Sequence, residues 1–576
     1  MKKWTKNILL TSDSVGEIVS QRTGMDNKTL LSDKTEYAVN GLHDAVDLFW
    51  KHVMRGSMVR VYADYDADGI NSAAIFDVLF SALKIRNGVI TVPCRFSDGY
   101  GVKESNVRNM TGGLLITVDN GIAAHDAVAT AKKNGVDVII LDHHEARTDG
   151  GRQVIPEADV IVDPHVTGAD FTDYCGAGLA FRFAEEVFKT KPHRLTEKAQ
   201  KYLLSVMNCF AAIGTVADAV PLTWDNRKIV KRGCWLMEHD YCSMGLKLLL
   251  EQLYLHGHVN SGDIAFLLGP TVNAYGRLED KGARKVFRAL SYNGKFSTDI
   301  KNSVAELILK NKERKSISAC ALDRALGIIK NSGMQDDNFL VVYDKDNMPG
   351  IAGLTAGNLT EKFSVPSIVF CPTSDPDIIK GSGRSVDWAV LTDSDGNGIL
   401  DSCKDLIHVY GGHAMACGIS IRKENLDAFR KAVNDACLKL DRPEPDDSLH
   451  YDVQITVDDI PDIMADLKTY GPFGQNNPEI VFRIDNVGLV PGETGKYGTM
   501  GETGEHLKLY AKNMELVWFD GTSLYRNMGE PNRVSVIGVL SEHWFKNRCT
   551  PQLQILDLIS AEEDTVGTLK DRLKEL

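Results

Sequence analysis

The chain has 576 residues, more than one hydrophobic core usually organises, with 43% hydrophobic and 25% charged residues, an ordinary balance for a soluble globular protein of two to four domains. Its net charge of −13 excludes a broad cationic face. The 11 cysteines form no C-x-x-C pair, which excludes a zinc ribbon and a disulfide framework and points to a reducing cytoplasm.

Taken in chain order, the basic start Met1 to Asn7 is followed only by Ile8-Leu9-Leu10, too short for a signal segment, and no later apolar run reaches membrane-spanning length, so no membrane association is expected. From Val59 to about Ile161, near-continuous apolar strands alternate with helical segments: Val59–Ala63, Leu114–Val118 and Val136–Leu141. That pattern predicts a parallel sheet covered on both faces. Residues 197–255 read as mostly helical, and Leu307–Ala325 suits a long connecting helix. A second α/β region is expected from Asn338 to Leu438. The segment Asp441-Arg442-Pro443-Glu444-Pro445-Asp446-Asp447 reads as a linker, and residues 449–560 as short strands forming a small β-barrel. No internal repeat is present.

The strongest local signal is Asp64-Tyr65-Asp66-Ala67-Asp68-Gly69, three carboxylates at alternate positions after a strand. An EF-hand loop opens in the same way but needs Glu at its twelfth position, where Ile75 stands, and a helix rather than a strand before it. Val118-Asp119-Asn120-Gly121 and Leu141-Asp142-His143-His144 also follow strands directly. In an open parallel sheet, such strand ends gather along one edge, where ligands bind. Each segment alone is explained by a helix cap or a structural histidine. Three together point to a metal centre, in which two divalent ions activate water and stabilise charge on a phosphate, with imidazole favouring Mn²⁺-like metals. No Gly-x-x-x-x-Gly-Lys-Ser/Thr loop occurs, which argues against a nucleotide-driven motor.

These three motifs resemble, in order, those of the DHH phosphoesterase superfamily. A fourth, Gly214-Thr215-Val216-Ala217-Asp218-Ala219-Val220-Pro221-Leu222 followed by Asp225-Asn226-Arg227, is similar to the RecJ type. The resemblance implies Asp64, Asp66, Asp68, Asp119, His143 and Asp218 as ligands of two Mn²⁺ or Mg²⁺ ions. It gives Asp119 and Asp142 catalytic parts, and sets His144 by the scissile phosphate as hydrogen-bond donor or general acid. In Arg95-Phe96-Ser97-Asp98-Gly99-Tyr100-Gly101, Arg95 matches a phosphate-contacting arginine, whose guanidinium is suited to a bidentate fork. Gly269 to Leu278 resembles a RecJ signature offering Asn273 and Arg277 as substrate contacts, although Thr271 and Tyr275 replace the usual arginine and small residue.

Gly381-Ser382-Gly383-Arg384-Ser385 and Gly411-Gly412-His413 resemble a DHHA1 domain, with Ser382, Arg384 and His413 as substrate-binding candidates. Met348 and Asn358 depart from the usual residues. Tyr470 to Glu479 and the later strands resemble the oligonucleotide-binding module of RecJ proteins. There Lys508, Lys512, Trp518, Trp544 and Arg548 are candidate strand contacts or simply barrel core.

The expected architecture is an N-terminal segment (1–50), a parallel-sheet DHH catalytic domain (51–295), a connecting helix (296–335), an α/β DHHA1 substrate domain (336–440), an OB-like β-barrel (449–560) and a tail (561–576). By resemblance the function is a 5′→3′ exonuclease acting on single-stranded DNA in repair, recombination or replication, within a bacterial or phage-infected cell. Single-strand-binding protein or a helicase would be the protein partners. Rival readings are a phosphodiesterase for short oligonucleotides or cyclic dinucleotides, and an inactive replication scaffold. The first does not require the C-terminal barrel; the second would have lost metal ligands.

Overall fold

The computed structural model describes residues 3–32, 37–149, 151–190, 193–393, 396–444, 448–492, 495, 497–501, 503–545 and 548–561. Pro445-Asp446-Asp447 of the expected linker, and residues 562–576 of the expected tail, lie outside them. Two compact units are distinguished, the larger comprising residues 36–220 and 232–444.

The larger unit opens with a five-stranded sheet of β1 (Val59–Tyr62), β2 (Gly88–Thr91), β3 (Leu114–Val118), β4 (Asp137–Leu141) and β5 (Val160–Val162). All neighbours are parallel and the order is β2-β1-β3-β4-β5. All five residues of β3 are buried, as expected for a strand covered on both faces. Helices α1 (Ala67–Leu83), α2 (Gly176–Lys189) and α3 (Glu197–Ala217) pack against one another. The chain leaves β1 toward one edge and β3 toward the other, so a crevice opens beyond their carboxyl ends.

After α4 (Gly269–Leu278), the 34-residue helix α5 (Thr298–Asn331) extends for about 50 Å. It leads to a second sheet with α6 (Pro349–Phe363), containing β6 (Leu340–Tyr343), β7 (Ser367–Pro372), β8 (Ile378–Arg384), β9 (Ile407–His413) and β10 (Ala416–Arg422). The order is β9-β10-β8-β7-β6, and only β6 and β7 are parallel. Phe339, Ile368, Phe370, Ile419 and Phe429 form its core on one face. On the other, Ala325 and Ile329 of α5 pack against Leu340, Val342 and Ala356.

The smaller unit gathers the described parts of residues 1–35, 221–231 and 445–576. Its sheet contains β11 (Val453–Ile455), β12 (Val481–Gly488), β13 (Gly498–Met500), β14 (His506–Ala511), β15 (Met514–Trp518), β16 (Arg533–Phe545) and β17 (Arg548–Ser560). The order is β11-β12-β16-β17-β15-β14-β13, an open sheet rather than a closed ring. Partial curling comes from the continuation of β12, where Leu489 bridges Ala511 and Val490 N–H donates to Tyr510 O at 2.9 Å. Most strands are short, as expected, but β16 and β17 have 13 residues each. A register shift between Ile537 and Gly538 bends the pair without ending either strand. Helix Val15–Thr23 contributes Val15 and Ile18 to this core beside Phe482, Leu509 and Leu553. Among the described residues, no helix is long and apolar enough to cross a membrane.

Candidate metal centre and phosphate cradle

Asp64 stands two residues beyond β1, Asp119 directly beyond β3 and Asp142 directly beyond β4, while Asp218 caps the carboxyl end of α3. Asp66 caps α1, its Oδ1 accepting from the Asp68 and Gly69 amides at 3.0 and 3.1 Å. It is thus the helix cap of the bland reading, while its Oδ2 accepts no hydrogen bond among the described residues.

These elements bring Asp64, Asp66, Asp68, Asp119, His143 and Asp218 together. Ligand atoms of Asp64, Asp66 and Asp119 lie within 4.8 Å of one another, as do those of Asp68, His143 and Asp218. A link between the two groups runs from His143 Nε2 to Asp119 Oδ1 at 3.1 Å. Asp119 is held at φ 61, a left-handed conformation unusual outside glycine, which turns its carboxylate off the strand end. Next to it the Asn120 amide donates to Tyr62 O at 3.2 Å and Val118 O at 2.9 Å, stitching β1 to β3 beneath the site.

Electrostatics show that the cluster suits cations. Burial, and then the neighbouring carboxylates, push Asp64, Asp119 and Asp218 well above the usual carboxylate range. Asp68 rises to about 6 for the same reasons. Asp64 Oδ1 is buried without a hydrogen-bond partner. His143 is lowered to about 3 by burial and by the charge of His144, leaving a neutral imidazole with a lone pair. Five crowded carboxylates, one with an orphaned oxygen, and a neutral imidazole are the donor set of a hard or borderline divalent ion, and the residues fit two such sites sharing Asp119.

Asp142 is placed differently. Its Oδ2 accepts from the Ile122 amide at 2.9 Å, and its Oδ1 from the His143 amide and from His144 Nδ1 at 2.7 Å. Burial opposes its charge, but the two imidazoles outweigh that and hold its pKa below the ordinary value. Burial likewise opposes a charged His144, yet Asp142 raises it to about 9. Asp142 therefore orients and charges His144 from behind. The Tyr100 hydroxyl is 3.2 Å from His144 Nε2, and His413 of β9 stacks at 6.1 Å between ring centroids.

Several supports were invisible in the sequence reading. The Gly176 and Ala177 amides, at the start of α2, donate to Asp68 at 2.6 and 2.9 Å. A Cβ on Gly176 would lie 2.5 Å from that of Asp119, and one on Gly214 would lie 2.5 Å from Asp68 Oδ1. The signal available was the Gly-Ala-Gly opening of a helix, whose amides favour an anion. Asp280 holds the Arg95 loop by accepting from the Phe96 and Ser97 amides at 2.9 and 3.0 Å.

Facing the acids is a group of guanidiniums. Arg95 lies over the Tyr65 ring at 4.1 Å, with Nε buried and unpartnered. Arg277 donates to Gly350 O at 3.4 Å and falls to about 9 through burial and the charges of Arg95 and Arg384. Arg384 donates to Gly383 O at 2.8 Å and lies 3.5 Å from Ser382 Oγ. Asn273, expected to contact substrate, uses its amide oxygen to accept from Ala67 N–H at 2.9 Å and so fixes the acidic loop. Thr271 is buried and accepts from Asn311 at 2.9 Å, Met348 caps α6, and Asn358 is exposed.

In the smaller unit, Trp518 belongs to the core, while Lys508 pairs with Glu515 at 2.8 Å and Lys512 with Asp458 at 3.2 Å. Trp544 donates to Glu542 at 3.1 Å, and Arg548 is exposed. The Asp225-Asn226-Arg227 string also lies in this unit, where buried Arg227 donates to Pro472 O at 3.2 Å.

Family models match three stretches: the DHH family, N-terminal domain at residues 58–208, the DHHA1 domain at 336–439 and the RecJ OB domain at 451–557. The chain is 30% identical over 558 residues to the single-stranded-DNA-specific exonuclease RecJ of Bacillus subtilis, an alignment covering 92% of this chain and 66% of that protein. It is also 30% identical to the exonuclease of the same name from Salmonella typhimurium, covering 77% and 78% respectively. The crystal structure of RecJ with Mn²⁺ from Thermus thermophilus superposes with a TM-score of 0.75 at 25% identity, covering 97% of this chain and 79% of that one.

Proposed function

Because the chain belongs to the RecJ family of DHH phosphoesterases, we propose that it is a metal-dependent exonuclease that hydrolyses single-stranded DNA from the 5′ end. One observation carries the reading: six ligand side chains from four separate stretches meet in two groups joined through Asp119, opposite guanidiniums that pair with no carboxylate among the described residues.

Asp64, Asp66 and Asp119 would hold one divalent cation, and Asp68, His143 and Asp218 the other, with Asp119 shared. When bound, Mn²⁺ or Mg²⁺ supplies Lewis-acid polarisation of the phosphodiester and makes water nucleophilic at neutral pH. The chain's own groups do the rest. Arg95, Arg277 and Arg384, with Ser382, bind strand phosphates and fix the register of the scissile bond. His144, kept protonated by Asp142, donates a hydrogen bond or a proton to a phosphate oxygen, and His413 closes the far side of the same space.

The C-terminal unit, which matches the RecJ OB domain, favours long strands over dinucleotides as substrate. The complete ligand set favours an enzyme over an inactive scaffold. The setting we infer is the cytoplasm of a bacterial or phage-infected cell, in DNA repair, recombination or replication, beside single-strand-binding protein or a helicase. The test is 5′-end-labelled single-stranded DNA with Mn²⁺. Mononucleotide should be the first labelled product of the wild type and absent with Asp119→Ala; equal activity of the variant would remove Asp119 from the centre.

A further inference from the structure

Helix α5 turns one face inward at three- and four-residue spacing, through Val304, Leu307, Asn311, Arg314, Ser318 and Ala321. Both ends of this seam are apolar, but for two turns at its middle it is polar. The Asn311 amide donates to Thr271 Oγ1 of α4 at 2.9 Å, and its Oδ1 accepts from Arg314 Nη2 at 2.7 Å. Arg314 is therefore half-buried and held in place, yet it forms no ion pair with a carboxylate among the described residues. One turn on, Ser318 Oγ is buried with no hydrogen-bond partner.

The positive charge of Arg314 bears on Arg277, which also feels Arg95 and Arg384. Four guanidiniums thus share one neighbourhood, and none of the four is paired with a carboxylate among the described residues. Crowding half-buried like charges is unfavourable unless an anion joins them. An uninterrupted apolar seam would fasten α5 more firmly, so the polar break has no packing advantage.

We propose that Arg314 is a fourth phosphate-binding arginine, contributed by the connecting helix and aimed by Asn311, and that it contacts a backbone phosphate of the bound strand. The unpartnered Ser318 hydroxyl is the adjacent donor on the same wall. This assignment rests on the single-strand nuclease reading.

The test is steady-state, Mn²⁺-dependent hydrolysis of 5′-phosphorylated single-stranded DNA over a salt series, with wild type, Arg314→Gln and Arg314→Lys. Loss of one charge-assisted contact should raise KM about tenfold for Arg314→Gln, with a smaller change in kcat. The slope of log KM against log salt should also fall by about 0.7, the increment of one single-strand phosphate. Arg314→Lys should recover the slope while recovering only part of KM, since it lacks the planar fork. An unchanged KM and slope, or equal loss in both variants with an unchanged slope, would show that Arg314 merely ties α5 to Asn311. A wild type inert toward the strand would instead remove the nuclease reading on which the assignment rests.

Discussion

Replacing Asp218 by Asn should make the metal-free protein more stable while weakening its response to metal. Burial and the carboxylates of Asp68 and Asp66 raise Asp218 well above its ordinary value, so the folded chain holds that proton more tightly than the unfolded chain. For such a group, stability falls as pH rises from the ordinary carboxylate value through the folded one. Asp68 and Asp218 present ligand atoms within 4.8 Å of each other. At an effective dielectric of about 20, two charges at that distance repel by about 3 kcal/mol. Partial protonation of Asp68, raised to about 6, relieves some of this. A net gain of about 1–3 kcal/mol follows for the variant, whose amide breaks no hydrogen bond to the Asp218 carboxylate among the described residues. Scanning calorimetry in EDTA should show Asp218→Asn melting about 1 °C higher per kcal/mol near pH 8 and converging with wild type as the pH falls to about 4. With Mn²⁺ the order should reverse, because the wild type gains binding free energy at both ion sites and the variant keeps only the Asp64, Asp66 and Asp119 group intact. A metal-free variant that melts below wild type, or one that gains as much from Mn²⁺, would refute the repulsion argument.

Gly214→Ala should weaken Mn²⁺ affinity by about 10–100-fold in a calorimetric titration, because the new methyl meets Asp68 Oδ1 and Ala177 Cβ. Unaltered affinity would mean that α3 can withdraw. Asp142→Asn should lower kcat about 10²-fold while leaving Mn²⁺ affinity near wild type, since that carboxylate faces His144 and the Ile122 amide. Its sign in pH is fixed: His144 keeps its proton below about 9, so the alkaline fall in rate should move toward histidine's ordinary value in the variant. A profile that does not move would detach His144 from the chemistry.

The acidic centre was legible because a parallel sheet gathers distant strand ends on one edge, so Asp64, Asp119 and His143 could be assigned to a common rim before any distance was known. Strand order was not legible: β1 and β3 have similar apolar compositions, and only the observed β2-β1-β3 order places Asp64 beside Asp119. The resemblance gives Asp142 a catalytic part and leaves it out of the ligand set, but how it acts was not legible, since that follows from which way its carboxylate turns, toward the Ile122 amide and His144 Nδ1. Asn273 reads as a substrate contact, and its hold on the Ala67 amide, between segments 206 residues apart, was not legible. The 13-residue lengths of β16 and β17 were not legible from a pattern read as short strands, since one register shift bends the pair without ending either strand.

Anomalous diffraction from crystals soaked in Mn²⁺ tests the central claim most directly. The account predicts two peaks, one among Asp64, Asp66 and Asp119 and one among Asp68, His143 and Asp218, both within reach of the Asp119 carboxylate. Density elsewhere, or none at saturating metal, would contradict it.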